Sequence, residues 1–154
     1  MANVRVLNKD KYKLSKYRFR ELYYFCLQYY EWKDQLIDKR NPLKGMQYSG
    51  MPSSGIPGNP TEAAAIACAE ISAKCDMIEQ AAKEADPELW DYIIYAVTHE
   101  DITFNFLKAK KDIPCERDRY YNSRRKFYFI LDCKMRRRIE HEDKECKAGR
   151  CIEN

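Results

Sequence analysis

The sequence predicts an all-α fold in which a long N-terminal antiparallel helix pair precedes a unit of three helices. Apolar residues recur at spacings of three and four along most of the 154 residues, as on one face of an α-helix. Four of the six prolines and four of the five glycines fall in residues 41–60. We therefore predict a helical hairpin over residues 1–85, a three-helix unit over 86–138 and a flexible charged tail over 139–154.

The first long helix is predicted from about Lys13 to Arg40, a run that contains no glycine or proline. Its apolar residues form a heptad-like seam that would bury one face of the helix against a partner. The seam consists of Leu22, Phe25, Tyr29, Trp32 and Leu36. Asn41 precedes Pro42, and the residue before a proline avoids the helical region, so the helix should end there.

The second long helix is predicted from Pro60 to about Ala85, after a loop over residues 41–60. Asn59 and Pro60 suit the cap and the first position of a helix. The helix is rich in alanine and carries a narrow stripe of small and aliphatic residues, namely Ala64, Ala67, Ile71, Ile78, Ala82 and Ala85. We expect this stripe to receive the aromatic seam of the first helix; a dimer seam is the alternative.

The three-helix unit begins at Asp86-Pro87, which resembles a helix start, and its first helix buries Trp90, Ile93, Ile94 and Val97. Thr103 can cap a short helix that runs to about Ala109 and points Phe104 and Leu107 inward. A connection over residues 110–112 leads to a last helix over about 115–138. The apolar face of the last helix holds Tyr120, Phe127, Tyr128, Leu131 and Met135. A short helix, a tight connection and a longer basic helix are the arrangement of a helix-turn-helix.

Charge is distributed unevenly along a chain whose net charge is only +4. Residues 60–107 contain 2 Lys and Arg against 10 Asp and Glu, whereas residues 108–138 contain 12 against 4. A basic stripe on one helix is an electrostatic signature of nucleic-acid binding. A solvated face, or an intramolecular partner for the acidic helix, explains the same pattern.

The basic helix supplies the candidate DNA contacts if it lies in the major groove. Arg117, Arg119 and Asn122 lie near its start and would face base edges, because arginine reads guanine and asparagine reads adenine. The expected phosphate contacts are Arg125, Lys126, Arg136, Lys108, Lys110 and Lys111. Tyr121 could contact a phosphate or pack against the protein. Arg124 is expected to form an internal ion pair with the acidic helix.

The chain contains seven cysteines, which is an odd number, and no secretory context is evident. A disulfide framework is therefore not expected. Cys133, His141, Cys146 and Cys151 could gather a zinc ion, but they lack the paired C-x-x-C spacing of structural sites. We therefore predict no metal and no cofactor.

An enzyme is not predicted, because the chain contains no nucleophile elbow, P-loop or H-E-x-x-H motif. The cluster His99-Glu100-Asp101 is explained by a polar turn between two helices.

The run from Ile102 to Met135 contains ITFNFL and IPCERDRYYNSRRKFYFILDCK, and it resembles phage and prophage regulators of the ArpU/RinA late-transcription type. In that group an aliphatic-Pro-x-x-Arg segment precedes a Phe or Tyr and an Arg-Arg-Lys-Phe run, which is residues 124–127 here. Residues 48–52 resemble the Gly-Met-Pro loop of the group, whereas Glu116 departs from its pattern. The resemblance implies a helix-turn-helix similar to region 4 of sigma factors and a regulator that binds double-stranded DNA in a bacterial host cell.

A protein-interaction module is the alternative function. The tyrosines of the first helix, Tyr23, Tyr24, Tyr29 and Tyr30, could bind a host protein such as RNA polymerase or inhibit a host machine, since tyrosine is favoured at interfaces. A single helix-turn-helix reads few base pairs, so a homodimer or a polymerase partner is expected. The N-terminus has no apolar signal region and no run is long enough to span a membrane, so we expect a cytoplasmic protein.

Overall fold

The computed structural model describes Tyr12, residues 14–40 and residues 60–149, with side chains described for Tyr12 and over 14–38 and 62–139. These residues form helices and no strand, which confirms the all-α prediction. The helices are α1 Lys16–Leu27, α2 Tyr29–Arg40, α3 Pro60–Ala85, α4 Trp90–Thr98, α5 Phe104–Lys111 and α6 Arg117–Gly149. A loop was predicted over residues 41–60, with the Gly-Met-Pro segment at 48–52. Residues 41–59 lie outside the described part of the chain, and residue 60 begins α3.

The first predicted helix is divided into α1 and α2 at Gln28. Ser15 caps α1 by accepting a hydrogen bond from the Arg18 backbone N–H at 3.2 Å. Gln28 has φ −76° and ψ −5°, so its backbone leaves the α-helical values. The Trp32 N–H then donates to the Gln28 carbonyl at 3.0 Å, which starts α2. The predicted seam is inside, because Leu22, Tyr29, Trp32 and Leu36 are buried and Phe25 packs against the core.

Helix α3 packs against α2, α4 and α6. The Tyr29 hydroxyl donates to Glu79 Oε1 at 2.7 Å, and Lys33 Nζ lies 2.8 Å from the same carboxylate oxygen. Lys74 Nζ lies 5.4 Å from the centre of the Trp32 ring. These contacts hold the first half of α2 against the second half of α3.

The core is built around α6. Its side chains at Tyr120, Phe127, Tyr128 and Leu131 are almost fully buried, and Met135 packs beside them, which confirms the predicted apolar face. Burial of one such side chain contributes about 1.5–3 kcal/mol. These four residues therefore hold α6 against the rest of the molecule, and its other faces are left for polar contacts.

The connections around α4, α5 and α6 differ slightly from the predicted ones. Residues 87–89 form a turn, so α4 starts at Trp90 rather than at Asp86-Pro87. Thr103 caps α5 as predicted, since its side chain accepts from the Phe106 N–H at 3.3 Å. The helix ends at Lys111, and Asp112 takes the left-handed conformation with φ 50°.

Helix α6 continues well past residue 138, where the sequence predicted its end. Residues 139–149 are helical as far as Gly149, whereas a flexible charged tail was expected from residue 139. This segment lacks proline, and its Glu, Lys and Ala residues are good helix formers, which explains the extension.

Candidate nucleic-acid interface

Two groups of cationic residues on α6 lie on different faces of the helix, with Arg119, Lys126 and Lys134 on one and Arg117 and Arg125 on the other. The first face, which we call the anchored stripe, consists of Arg119, Ser123, Lys126 and Lys134. The spacings of four, three and eight residues place these side chains along one line of an α-helix. Each of them contacts the C-terminal end of α3 or the turn that follows it.

Asp86 is the centre of the anchored stripe. Its carboxylate accepts from Arg119 Nε at 3.2 Å, from Arg119 Nη2 at 3.2 Å and from the Ser123 hydroxyl at 2.9 Å. The Glu88 backbone N–H donates to the same group at 3.1 Å. The Asp86 residue is only 8% exposed, so this is a nearly buried carboxylate with all of its partners in place.

Burial acts to raise the pKa of Asp86, because it disfavours the charged form. The hydrogen bonds from Arg119, Ser123 and the Glu88 N–H outweigh that effect, and the pKa is held below its ordinary value. The folded protein therefore favours the carboxylate form, which is the form that Arg119 binds.

Three further contacts complete the anchored stripe. Arg119 Nη2 also lies 2.6 Å from Glu88 Oε2. Lys126 Nζ donates to the Ala85 carbonyl at 3.0 Å, and this carbonyl belongs to the last residue of α3. Lys134 Nζ lies 2.7 Å from Glu84 Oε1. A cation at the end of a helix also interacts favourably with its dipole, so Lys126 acts as a C-terminal cap for α3.

The second face, which we call the outer stripe, consists of Arg117, Tyr121, Asn122, Arg125 and Phe129. Arg117 is exposed, and its guanidinium lies 5.7 Å from the centre of the Tyr121 ring. Arg125 Nη1 donates to Asn122 Oδ1 at 3.2 Å. Phe129 is 37% exposed and lies against Tyr12, with 5.2 Å between ring centres. Among the described residues, no carboxylate forms an ion pair with Arg117 or Arg125.

Arg136 lies further along α6 and forms an ion pair with Asp132, a residue for which no role was predicted. Asp132 has a side chain that is 4% exposed and lies between two guanidinium groups. Arg136 Nη2 is 2.5 Å from Asp132 Oδ2, and Arg18 Nε of α1 is 2.6 Å from Asp132 Oδ1. The Asp132 carboxylate therefore joins α1 to α6 and holds Arg136.

The lysines of α5 are exposed at Lys108, Lys110 and Lys111. Lys111 Nζ lies 4.6 Å from the centre of the Tyr95 ring, which is a cation–π contact with α4. Helix α5 contains no acidic residue, and its last turn carries all three lysines.

Among the described residues, Arg124 does not form the ion pair with the acidic helix that the sequence predicted. It lies among Tyr120 and Tyr128, and its Nε is buried. No described carboxylate forms an ion pair with it. The physical reason is its position between two core tyrosines on α6, four residues from each, which turns the side chain toward the core rather than toward α3.

The polar cluster His99-Glu100-Asp101 follows α4. His99 Nδ1 lies 2.9 Å from the Tyr95 carbonyl, and its ring packs between Tyr95 at 4.2 Å and Tyr30 at 5.0 Å. Asp101 takes a left-handed conformation with φ 56°. These residues form the turn between α4 and α5, as the sequence predicted.

The proposed zinc ligands at His141, Cys146 and Cys151 have side chains outside the described part of the chain. Cys133 is described as a free thiol. Within the described residues, no group of three or more potential ligands gathers in one place. Among the helices of that part of the chain, none is both long enough and apolar enough to cross a membrane.

Comparison with known proteins identifies no relative. The chain matches no protein-family model, no curated protein and no solved structure.

Proposed function

We propose that the chain is a sequence-specific, double-stranded-DNA-binding regulator of phage or prophage transcription, which acts in the cytoplasm of a bacterial host. The observation that carries the proposal is the outer stripe. It offers the guanidinium groups of Arg117 and Arg125 and the amide of Asn122 over residues 117–125 of α6, with no carboxylate paired to the guanidiniums among the described residues. The resemblance of residues 102–135 to ArpU/RinA regulators supports the assignment to phage genes.

In this proposal α4, α5 and α6 form a trihelical helix-turn-helix, and the N-terminal part of α6 enters the major groove. Residues 112–116 connect α5 to α6, and the Phe104 ring of α5 lies 5.7 Å from the Tyr120 ring of α6. Side chains near the start of a recognition helix contact base edges. Arg117, Tyr121 and Asn122 occupy that position.

In the outer stripe, some side chains would contact base edges and others would contact phosphates. Arg117 would donate to the O6/N7 edge of guanine, and the Asn122 amide would bind the N6/N7 edge of adenine. Arg125, which holds Asn122 by a hydrogen bond, would contact a phosphate and orient that amide. Tyr121 would keep the Arg117 side chain extended by lying beneath its guanidinium.

The anchored stripe has a different part in the proposal. Arg119, Lys126 and Arg136 were candidates for DNA contact, but each is engaged with an internal acceptor. We assign Arg119 and Lys126 to holding α6 in position, whereas Arg136 forms an ion pair with Asp132 of α6 itself. Moving Arg119 onto DNA would leave the Asp86 carboxylate with fewer partners, and an under-satisfied buried carboxylate is unfavourable.

The lysines of α5 would supply further phosphate contacts. Lys108 and Lys110 are exposed and lie on the helix that precedes the recognition helix, the element that crosses the DNA backbone in a helix-turn-helix. Lys111 is also exposed but contacts the Tyr95 ring, so we rank it below the other two. Contacts of this kind provide affinity and salt dependence without reading sequence.

Fluorescence anisotropy with a labelled duplex from a phage late promoter tests the proposal. We expect Asn122→Ala/Arg125→Ala to weaken binding about 10- to 100-fold, since a good base contact and a phosphate contact are each lost. Arg137→Ala is the matched control, because Arg137 is an exposed cation of the same helix outside the outer stripe. Equal affinity of both variants for the duplex, or no binding of the native chain at low salt, would contradict the proposal.

A protein-interaction function remains the second candidate, and one observation favours it. Tyr17, Tyr24 and Tyr30 on α1 and α2 are 79%, 49% and 43% exposed, which is high for aromatic side chains. Host RNA polymerase or another host protein would be the partner. Binding to such a surface would depend weakly on salt, whereas binding to DNA should weaken steeply.

A further inference from the structure

The outer face of α1 carries four exposed residues in one line. Tyr17, Arg20, Glu21 and Tyr24 are separated by three, one and three residues, so they share one side of the helix. Leu22 and Cys26 lie on the other side and are fully buried in the core. We call these four residues the α1 face.

The α1 face is aromatic at both ends and charged in the middle. Tyr17 is 79% exposed and Tyr24 is 49% exposed. Glu21 is 60% exposed on its side chain and holds Arg18 through Oε2 at 2.7 Å, which leaves Oε1 for a second donor. Within the described part of the chain, Arg20 forms no ion pair.

The side chains of the α1 face complement those of a second copy that runs in the opposite direction. Their spacing is symmetric about the midpoint between Arg20 and Glu21, with a tyrosine at each end, a cation on one side and an anion on the other. A two-fold axis through that midpoint would pack two copies of α1 in antiparallel orientation. Each Tyr17 would then meet the partner's Tyr24, and each Arg20 would meet the partner's Glu21.

We propose that the α1 face binds a second copy of this chain and forms an isologous dimer. An isologous interface requires one surface to complement itself, and the charges of this face do so. Tyrosine supplies large contact area at low entropic loss, which suits the two ends. The proposed dimer does not depend on DNA binding, because none of these residues belongs to the outer stripe.

Four residues on each copy bury less than the roughly 800 Å² per partner of a standard interface. The dimer should therefore be weak and should form only at high protein concentration.

Sedimentation velocity without DNA, over about 5 to 200 µM, tests the proposal. Arg20→Glu or Glu21→Arg should weaken association at least about tenfold, because each reversal creates two like-charged contacts across the axis. The double variant Arg20→Glu/Glu21→Arg recreates opposite charges and should return association to within about threefold of the native value. A different partner or a different geometry gives no reason for this rescue.

Two controls keep the result interpretable. Arg137→Glu and Asp34→Lys make the same changes of net charge as the two single reversals but lie on exposed positions outside the α1 face, and they should leave association unchanged. Tyr17→Ser/Tyr24→Ser should abolish the dimer while circular dichroism retains the native helix content. A native chain that stays monomeric at the highest concentration, or a folded double variant that fails to recover association, would overturn the proposal.

Discussion

Arg119 lies against Asp86, with Nε and Nη2 each 3.2 Å from a carboxylate oxygen, while its side chain stays 46% exposed. This contact joins the start of α6 to the residue that follows α3. Ser123 and the Glu88 N–H donate to the same carboxylate. The position of the proposed recognition helix is therefore set by an acidic residue 33 positions earlier in the chain.

Removing the Asp86 carboxylate should destabilise the protein. Asp86→Ala leaves the buried Ser123 hydroxyl without its acceptor and frees Arg119 from one of its two carboxylates. We expect the free energy of unfolding to fall by about 1–3 kcal/mol, as for other buried polar groups that lose a partner. Urea denaturation followed by circular dichroism measures this change. Glu84→Ala, which removes an exposed ion pair with Lys134, should cost less than about 1 kcal/mol, and an equal loss in the two variants would refute the central role of Asp86.

Stability should depend on pH through Asp86. Its pKa is lower in the folded protein than the ordinary value of 3.8, so the unfolded chain binds more protons at acid pH. The contribution of the carboxylate is complete above about pH 5 and is lost as the pH falls through 3.8 toward the folded pKa. The free energy of unfolding of the native chain and of Asp86→Asn should be compared from about pH 3 to pH 7. The difference between them should shrink toward acid pH, and a constant difference would contradict this assignment.

Tyr29 offers a test of the contact between α2 and α3. Its hydroxyl donates to Glu79 at 2.7 Å, while Lys33 binds the same carboxylate. Tyr29→Phe removes this hydrogen bond and keeps the ring, so the midpoint of urea unfolding should fall by an amount equivalent to about 1 kcal/mol. Tyr24→Phe is the matched control, because Tyr24 is 49% exposed and should change stability negligibly. No difference between the two variants would show that the α2–α3 contact does not depend on this hydroxyl.

Arg119 and Arg117 should behave differently although they lie two residues apart. Arg119→Ala should lower the midpoint of urea unfolding, because it removes donors from a nearly buried carboxylate. Arg117→Ala should leave that midpoint almost unchanged, since the exposed side chain contacts only the Tyr121 ring among the described residues. Duplex affinity should fall more in Arg117→Ala than in Arg119→Ala. A loss of duplex affinity in folded Arg119→Ala as large as in Arg117→Ala would return Arg119 to the DNA contacts.

Much of the fold follows from local sequence rules. The Thr103 cap and the buried face of α6 at Tyr120, Phe127 and Leu131 were predicted from hydrogen-bonding capacity and helical spacing. The break at Gln28 was not predicted, because glutamine is a good helix former and no glycine or proline marks the site. The apolar spacing continues unbroken from Leu22 and Phe25 to Tyr29 and Trp32, so the pattern does not reveal the break.

The candidate site was predicted less completely than the fold. Counting charges identified the basic helix and left open an intramolecular partner in the acidic segment, but it did not separate Arg119 from Arg117. That separation depends on which carboxylate faces which side of α6. The spacing of Arg119, Ser123 and Lys126 along one line was a signal that could have been read, whereas the role of Asp86 required the tertiary structure.

The salt dependence of duplex binding tests the central claim most directly. Each phosphate contact that a protein makes adds about 0.9 to the slope of log affinity against log salt. Comparing the native chain with Arg125→Ala/Lys108→Ala by anisotropy, from about 50 to 300 mM salt, we expect the slope to fall by about 2 in magnitude. The matched variant Lys126→Ala/Arg136→Ala removes two cations with internal acceptors and should keep the native slope. A native slope near zero, or an equal reduction in both double variants, would contradict the division between cations that bind DNA and cations that bind internal acceptors.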